Sequence, residues 1–176
     1  MYWKQGEQYA GLHQLIHKSI DTVYVGQDDF NSSDVRLLSE GFSRCNGIVF
    51  LDKDCQTGAL AHISGATRPG DIVNGIRHHV TGARMPDVKK LEDIFQDCAK
   101  VKAINVYHSS YYAWWPEIIE EELAKKGVND VQHVALTTRP NGEVYHRAIA
   151  LDVRRALLYI FPNNRTSLIT VPFFKE

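Results

Sequence analysis

Two apolar runs separated by a short polar connection constrain this chain more than any other feature. The first, GIVFLD, covers residues 47–52, and the second, GALAHIS, covers residues 58–64, with KDCQT between them. Short apolar runs of this length, bounded by turn residues, read as strands rather than helices. A five-residue connection, KDCQT, suits an antiparallel hairpin. The chain is therefore expected to be built around a β-ribbon, and the same ribbon carries Cys45 at its entrance and His62 inside its second arm.

Further strand candidates extend the pattern. TVYV ends at Gly26, VRLL follows the polar stretch QDDFNSSD, and VKAINVYH reads as a buried strand. The C-terminal part is strand-rich: VQHVALT, VYHRAIAL, RALLYIF and LITVPFF, with turns at RPNGE and PNNRT. Asn141-Gly142 is a strong hairpin signal. Helices are fewer. Tyr9, Leu12, Leu15, Ile16 and Ile20 recur at helical intervals, and Val88, Leu91, Phe95 and Cys98 share one helical face. WPEIIEEELAKKG is the clearest helix, with Pro116 in its first turn, glutamates early, Lys125 and Lys126 late, and Gly127 as cap. Strands outnumber helices by more than two to one, which predicts an α+β fold of layered, largely antiparallel sheets in a sandwich-like core, flanked by about three helices. With 176 residues and no linker or internal repeat, one domain over residues 1–176 is expected.

Composition excludes several classes of partner. A net charge of −1 with 23% charged residues gives no reason to invoke nucleic acid or an anionic membrane. No apolar run reaches the ~20 residues of a spanning helix. The opening MYWKQGEQYAGL has no signal-like apolar region. Cys45, Cys55 and Cys98 make an odd count, so reduced thiols are the default. These features suit a cytoplasmic protein, and equally an effector exported without a signal.

A cysteine is a good nucleophile only as thiolate, and an ordinary pKa of about 8.5 leaves a few per cent ionised at neutral pH. A neighbouring imidazole raises that fraction and can protonate a leaving amine. Pairing Cys45 with His62 puts the hairpin turn within residues 53–57, so the two face each other across a ladder. Slippage by one residue would put them on opposite faces. The competing interpretation is a buried structural cysteine and a histidine satisfied by a backbone carbonyl.

Ser39, Gly41, Phe42, Cys45, Asp52, Gly58, Ala61 and His62 fall in step with a pattern of Gly-rich loop, cysteine, apolar strand ending in Asp, and a strand carrying Ala-His. In this the segment resembles the catalytic core of the CheD chemoreceptor glutamine deamidases and, more distantly, the cytotoxic necrotizing factor and Burkholderia lethal factor toxins. The Cys-to-His separation of 17 residues is the same. The likeness covers residues 20–65 and 100–150 as pattern only. It implies a protein-glutamine deamidase working through a thioester, with Cys45 as nucleophile, His62 as acid and base, and Ser39, where the family commonly has Thr, orienting the ring. It places substrate contact at Gly41, Arg44 and Ser64, although Arg44 stands where the chemotaxis enzymes have a small residue. It implies no metal or cofactor, and its partner is a protein bearing an accessible glutamine. Two alternatives use the same residues: a cysteine peptidase or transglutaminase-like acyltransferase, and a binding module whose dyad is vestigial.

Other constellations carry less. His13 and His17 have metal-binding spacing but no third partner, and His78-His79 lie in a long Gly/Pro-containing segment, residues 64–86, that reads as a binding loop or as a surface excursion. HSSYYAWWPE, residues 108–117, is either an aromatic docking surface or core closing one end of a sheet. Cys98 falls on an apolar helical face and reads as core.

Overall fold

Each of the apolar runs forms a strand, and the strands assemble into two stacked sheets. In the computed structural model, Gln14 and residues 19–42, 45–54, 56–63, 90–108, 115–136, 146–162 and 168–174 are described. The strands are Thr22–Val25 (β1), Phe30–Ser33 (β2), Arg36–Glu40 (β3), Asn46–Asp52 (β4), Gly58–Ile63 (β5), Val101–His108 (β6), Asp130–Leu136 (β7), His146–Asp152 (β8), Leu157–Pro162 (β9) and Ile169–Pro172 (β10). They form two five-stranded sheets, β1-β3-β8-β9-β10 and β2-β5-β4-β6-β7. Pairing is antiparallel except for β1 with β3 and β6 with β7. The fold is α+β and layered, as expected. Among the described residues there are two α-helices, Leu91–Ile94 (α1) and Trp115–Ala124 (α2), rather than about three. The expected N-terminal helix lies outside the described residues, Gln14 apart.

Burial explains the layering. β4 and β5 are buried almost throughout, because alternate residues face different cores. Val49, Leu51 and Leu60 meet Leu37, Ile149 and Leu151 of the other sheet. Ile48, Phe50, Ala59 and Ala61 face the opposite way, onto Leu91 of α1 and Ile119 and Leu123 of α2. Glycine sets how closely the sheets approach. A Cβ on Gly47 would collide with Ile149 Cδ1 and sit 3.4 Å from the Phe42 ring, and one on Gly58 would lie 2.6 Å from Leu151 Cδ2. Gly47→Ala and Gly58→Ala are therefore expected to destabilise the chain by ~1–3 kcal/mol each, read as a lowered melting temperature with the same far-ultraviolet spectrum.

α2 ends as its sequence requires. Gly127 adopts φ 84, Gly127 N donates to Ala124 O, and Val128 N reaches back to Leu123 O at 3.1 Å. Three expectations are corrected. The helix expected through Val88, Leu91, Phe95 and Cys98 is one turn long, because Phe95 turns extended at φ −108 and ψ 129 and drops into the core, after which Cys98–Lys100 forms a 3-10 turn. The supposed polar loop QDDFNSSD contains β2, an edge strand pinned by Phe30, whose ring packs edge-on against Phe50 at 6.1 Å. The Asn141-Gly142 hairpin does not join paired strands: β7 and β8 lie in different sheets, and the turn itself lies outside the described residues. Arg154 and Arg155 are exposed in the β8–β9 turn.

Candidate catalytic site between the sheets

The ladder of the central hairpin decides where Cys45 and His62 stand. His62 pairs with Gly47, and Asn46 pairs with Ile63. Cys45 is thus two residues beyond the position directly opposite His62, which corrects the expected register. A shift of two keeps the face, whereas a shift of one would have reversed it. Cys45 lies in the inter-sheet cluster with Val49 and Leu51 and is 6% exposed. It and His62 are diagonal neighbours on one face, a relation that spans ~7–8 Å between backbones and less between side chains. Gly47, directly opposite His62, has no side chain to come between them.

His62 is held through both its backbone and its ring. Its backbone N–H donates to Asp29 O at 3.0 Å, and its carbonyl accepts from Asp28 N at 2.8 Å. Both backbone groups therefore point to the β1–β2 turn, where Asp28 adopts φ 58. The Phe42 ring stacks on the imidazole with centroids 3.8 Å apart and planes 12° from parallel. Phe42 follows Gly41, whose φ of 81 is in the left-handed region and whose Cβ position is open, so the backbone conformation and not space calls for glycine there.

Ser39 completes the arrangement from the other sheet. Like Leu37 it faces the interlayer, and it is fully buried. Its Oγ lies 2.6 Å from the Val25 carbonyl oxygen and 2.8 Å from His62 Nδ1. A carbonyl only accepts, so the single hydroxyl proton is donated to Val25. Oγ then accepts from His62, and Nδ1 carries the ring proton. In the neutral imidazole the lone pair consequently resides on Nε2. The same geometry argues against Ser39 as nucleophile, because its proton is directed away from the base.

Loss of this acceptor is expected to be measurable. Ser39→Ala strands the buried Nδ1–H at a cost of ~1–3 kcal/mol, equivalent to a fall of about 5–150-fold in any reaction that needs the Nε2 lone pair. Ser39→Thr should retain most of the rate. Steady-state rates with melting temperatures for both variants check this.

Of the remaining candidates, Arg44, Ser64, Cys55, His13, His17, His78, His79 and residues 109–114 lie outside the described residues. Cys98 is half-buried at the far end of the sheet, where burial, aided by the Glu92 and Asp97 carboxylates, pushes its thiol up. His133, on the reverse face of β7, is tied at both nitrogens: Asn105 Nδ2 lies 3.3 Å from Nδ1 and Glu120 Oε1 lies 2.9 Å from Nε2. That is a structural clasp. Among the described residues there is no group of three histidine, cysteine, aspartate or glutamate side chains placed to hold a metal ion, and no helix long and apolar enough to cross a membrane. Sequence reasoning missed the Val25 carbonyl, which fixes the tautomer, and the Phe42 stack, although Phe42 was among the residues in step with the pattern.

No family model and no curated protein matches the sequence. The solved structures that match include two hypothetical or family-model proteins at low similarity. A Neisseria meningitidis protein assigned to the DUF152 family model matches with 12% identity and a TM-score of 0.44, over 70% of this chain and 66% of its own. The Bacillus licheniformis hypothetical protein YfiH matches with 12% identity and a TM-score of 0.43, over 75% of this chain and 70% of its own. The chain spans just under two thirds of the length of the first. The resemblance to CheD-like and necrotizing-factor-like deamidases is corrected by these matches: the structural neighbours are DUF152 and YfiH proteins.

Proposed function

We propose that the chain is a cysteine-dependent amidohydrolase that deamidates glutamine side chains on another protein, with Cys45 as nucleophile, His62 as acid and base, and Ser39 as the group that orients His62. The observation that carries the reading is the hydroxyl at Ser39, which fixes the Nδ1–H tautomer and leaves Nε2 as the working nitrogen on the face that Cys45 occupies. Nε2 takes the thiol proton, and the sulfur attacks the carboxamide carbon. The tetrahedral intermediate collapses with breakage of the C–N bond, and the imidazolium gives its proton to the departing ammonia. Water then cleaves the thioester, which restores the thiol and leaves a carboxylate. The imidazolium that forms in between keeps its Nδ1–H bond to Ser39 and rests against the face of Phe42, where the ring quadrupole favours positive charge.

Burial favours a slender substrate. Cys45 is 6% exposed and His62 and Ser39 are fully buried. A primary carboxamide at the end of a flexible stem reaches such a thiol more readily than a polypeptide backbone does, which favours glutamine over a peptide bond. The test is intact-mass analysis of candidate substrate proteins. A gain of ~1 Da with release of ammonia, dependent on Cys45, supports deamidation. An amine adduct in place of that gain would make the enzyme an acyltransferase, and cleavage of the chain would make it a peptidase.

A further inference from the structure

The ladder on the other side of β4 runs toward a second histidine, His108, at the same end of the sheet as Cys45. β4 and β6 pair antiparallel up to Gly47 with Val106; continuing that register by two residues would set Cys45, which precedes β4, opposite His108, the last residue of β6. Both belong to the inter-sheet layer. Ile104 and Val106, at alternate positions of β6, lie in the cluster that contains Cys45, and so does Leu136, the neighbour of His108 in the parallel β6–β7 ladder. His108 is 2% exposed. Directly opposed residues have Cβ atoms ~5 Å apart, the separation that this continuation of the register would give Cys45 and His108. In that register each strand neighbouring β4 would carry an imidazole on the face of the thiol.

We infer that His108 is a second catalytic residue, the general base of the thioester-hydrolysis half of the reaction; this rests on the function proposed above. His62 exchanges protons through one nitrogen, because Ser39 occupies the other. In the first half that nitrogen moves the thiol proton to ammonia and ends neutral. In the second half a ring nitrogen of His108 takes one proton from water as the oxygen bonds to the thioester carbon. Collapse breaks the C–S bond, the carboxylic acid departs, and His108 returns its proton to the Cys45 sulfur. Thiol and neutral imidazole are both regenerated. The structural alternative is a histidine that merely fills the end of the layer, and the two differ in which half-reaction they affect.

The probe is p-nitrophenyl acetate, applied to the full chain carrying Cys55→Ser and Cys98→Ser so that Cys45 is its only thiol. It acylates the thiol without requiring the natural substrate. The parent should show nitrophenolate release that turns over. His108→Gln should keep a burst of one equivalent per chain, slow the steady state by ~10²-fold, and accumulate acetyl-Cys45 visible by intact mass. His108→Asn, melted alongside, reads the same point if the glutamine variant does not fold. Deacylation at the parental rate in a folded variant overturns the inference, and so does loss of the burst itself, which would place His108 in the first half. Failure of the parent to be acylated at Cys45 overturns the function on which the inference rests.

Discussion

Cys45→Ala is expected to eliminate ammonia release from protein glutamine, a loss of at least ~10³-fold, with the chain still folded. The thiol supplies the only proposed covalent bond to the acyl carbon, and no neighbouring group replaces it, since the Ser39 hydroxyl is committed to the Val25 carbonyl. The stability cost should be small, ~1 kcal/mol, because alanine removes one buried sulfur from a layer whose other side chains, Val49, Leu51 and Val106 among them, stay in place. Cys45→Ser should be almost as inactive, although it keeps a group of similar size, because a hydroxyl is far harder to ionise than a thiol. Parallel measurements of ammonia release and thermal unfolding check both points. Full activity in either variant would end the nucleophile assignment.

The second large effect is expected at His62. His62→Ala should lower the rate at neutral pH by ~10²–10⁴-fold, the usual share of a positioned acid and base. The loss should shrink as pH rises toward the ordinary thiol range, about 8.5, where ionisation no longer needs a neighbouring base. A pH–rate profile therefore separates this role from a packing defect, which would lower the rate equally at all pH values. Removal of the ring also empties the space against Phe42 and strands the Ser39 hydroxyl's second contact. His62→Gln is the matching variant with better-preserved volume, and its profile should follow that of His62→Ala.

Much of the fold was legible because strand-length apolar runs leave few other choices. GIVFLD, GALAHIS and VKAINVYH became the centre of one sheet, and Gly26 and Gly127 ended the elements that they were expected to end. What escaped notice is set by long-range contact. β2 was hidden in a polar stretch because an edge strand needs one anchored side chain, Phe30, and tolerates polar residues elsewhere. The Asn-Gly dipeptide reports a local turn and says nothing of which sheet each flanking strand joins. At the site, Cys45 and His62 share a face as supposed, but the pairing is shifted by two residues, which no periodicity of two can detect. Ser39 was legible only through a resemblance of pattern, and the family that the pattern suggested is not that of the structural neighbours. The hydroxyl's real constraint, a carbonyl 14 residues earlier on β1, is visible only once the strands are paired. The place of His108, at the same end of the sheet as Cys45, is likewise visible only once the strands are paired.

Alkylation by iodoacetamide at neutral pH, followed by peptide mapping, tests most directly whether His62 activates the Cys45 sulfur. Cys98 serves as the internal reference, its thiol held up by burial and two nearby carboxylates. Cys45 should react faster than Cys98 despite being more buried, and His62→Ala should slow Cys45 alone. A Cys45 that reacts more slowly than Cys98 and is indifferent to the loss of His62 would contradict the account.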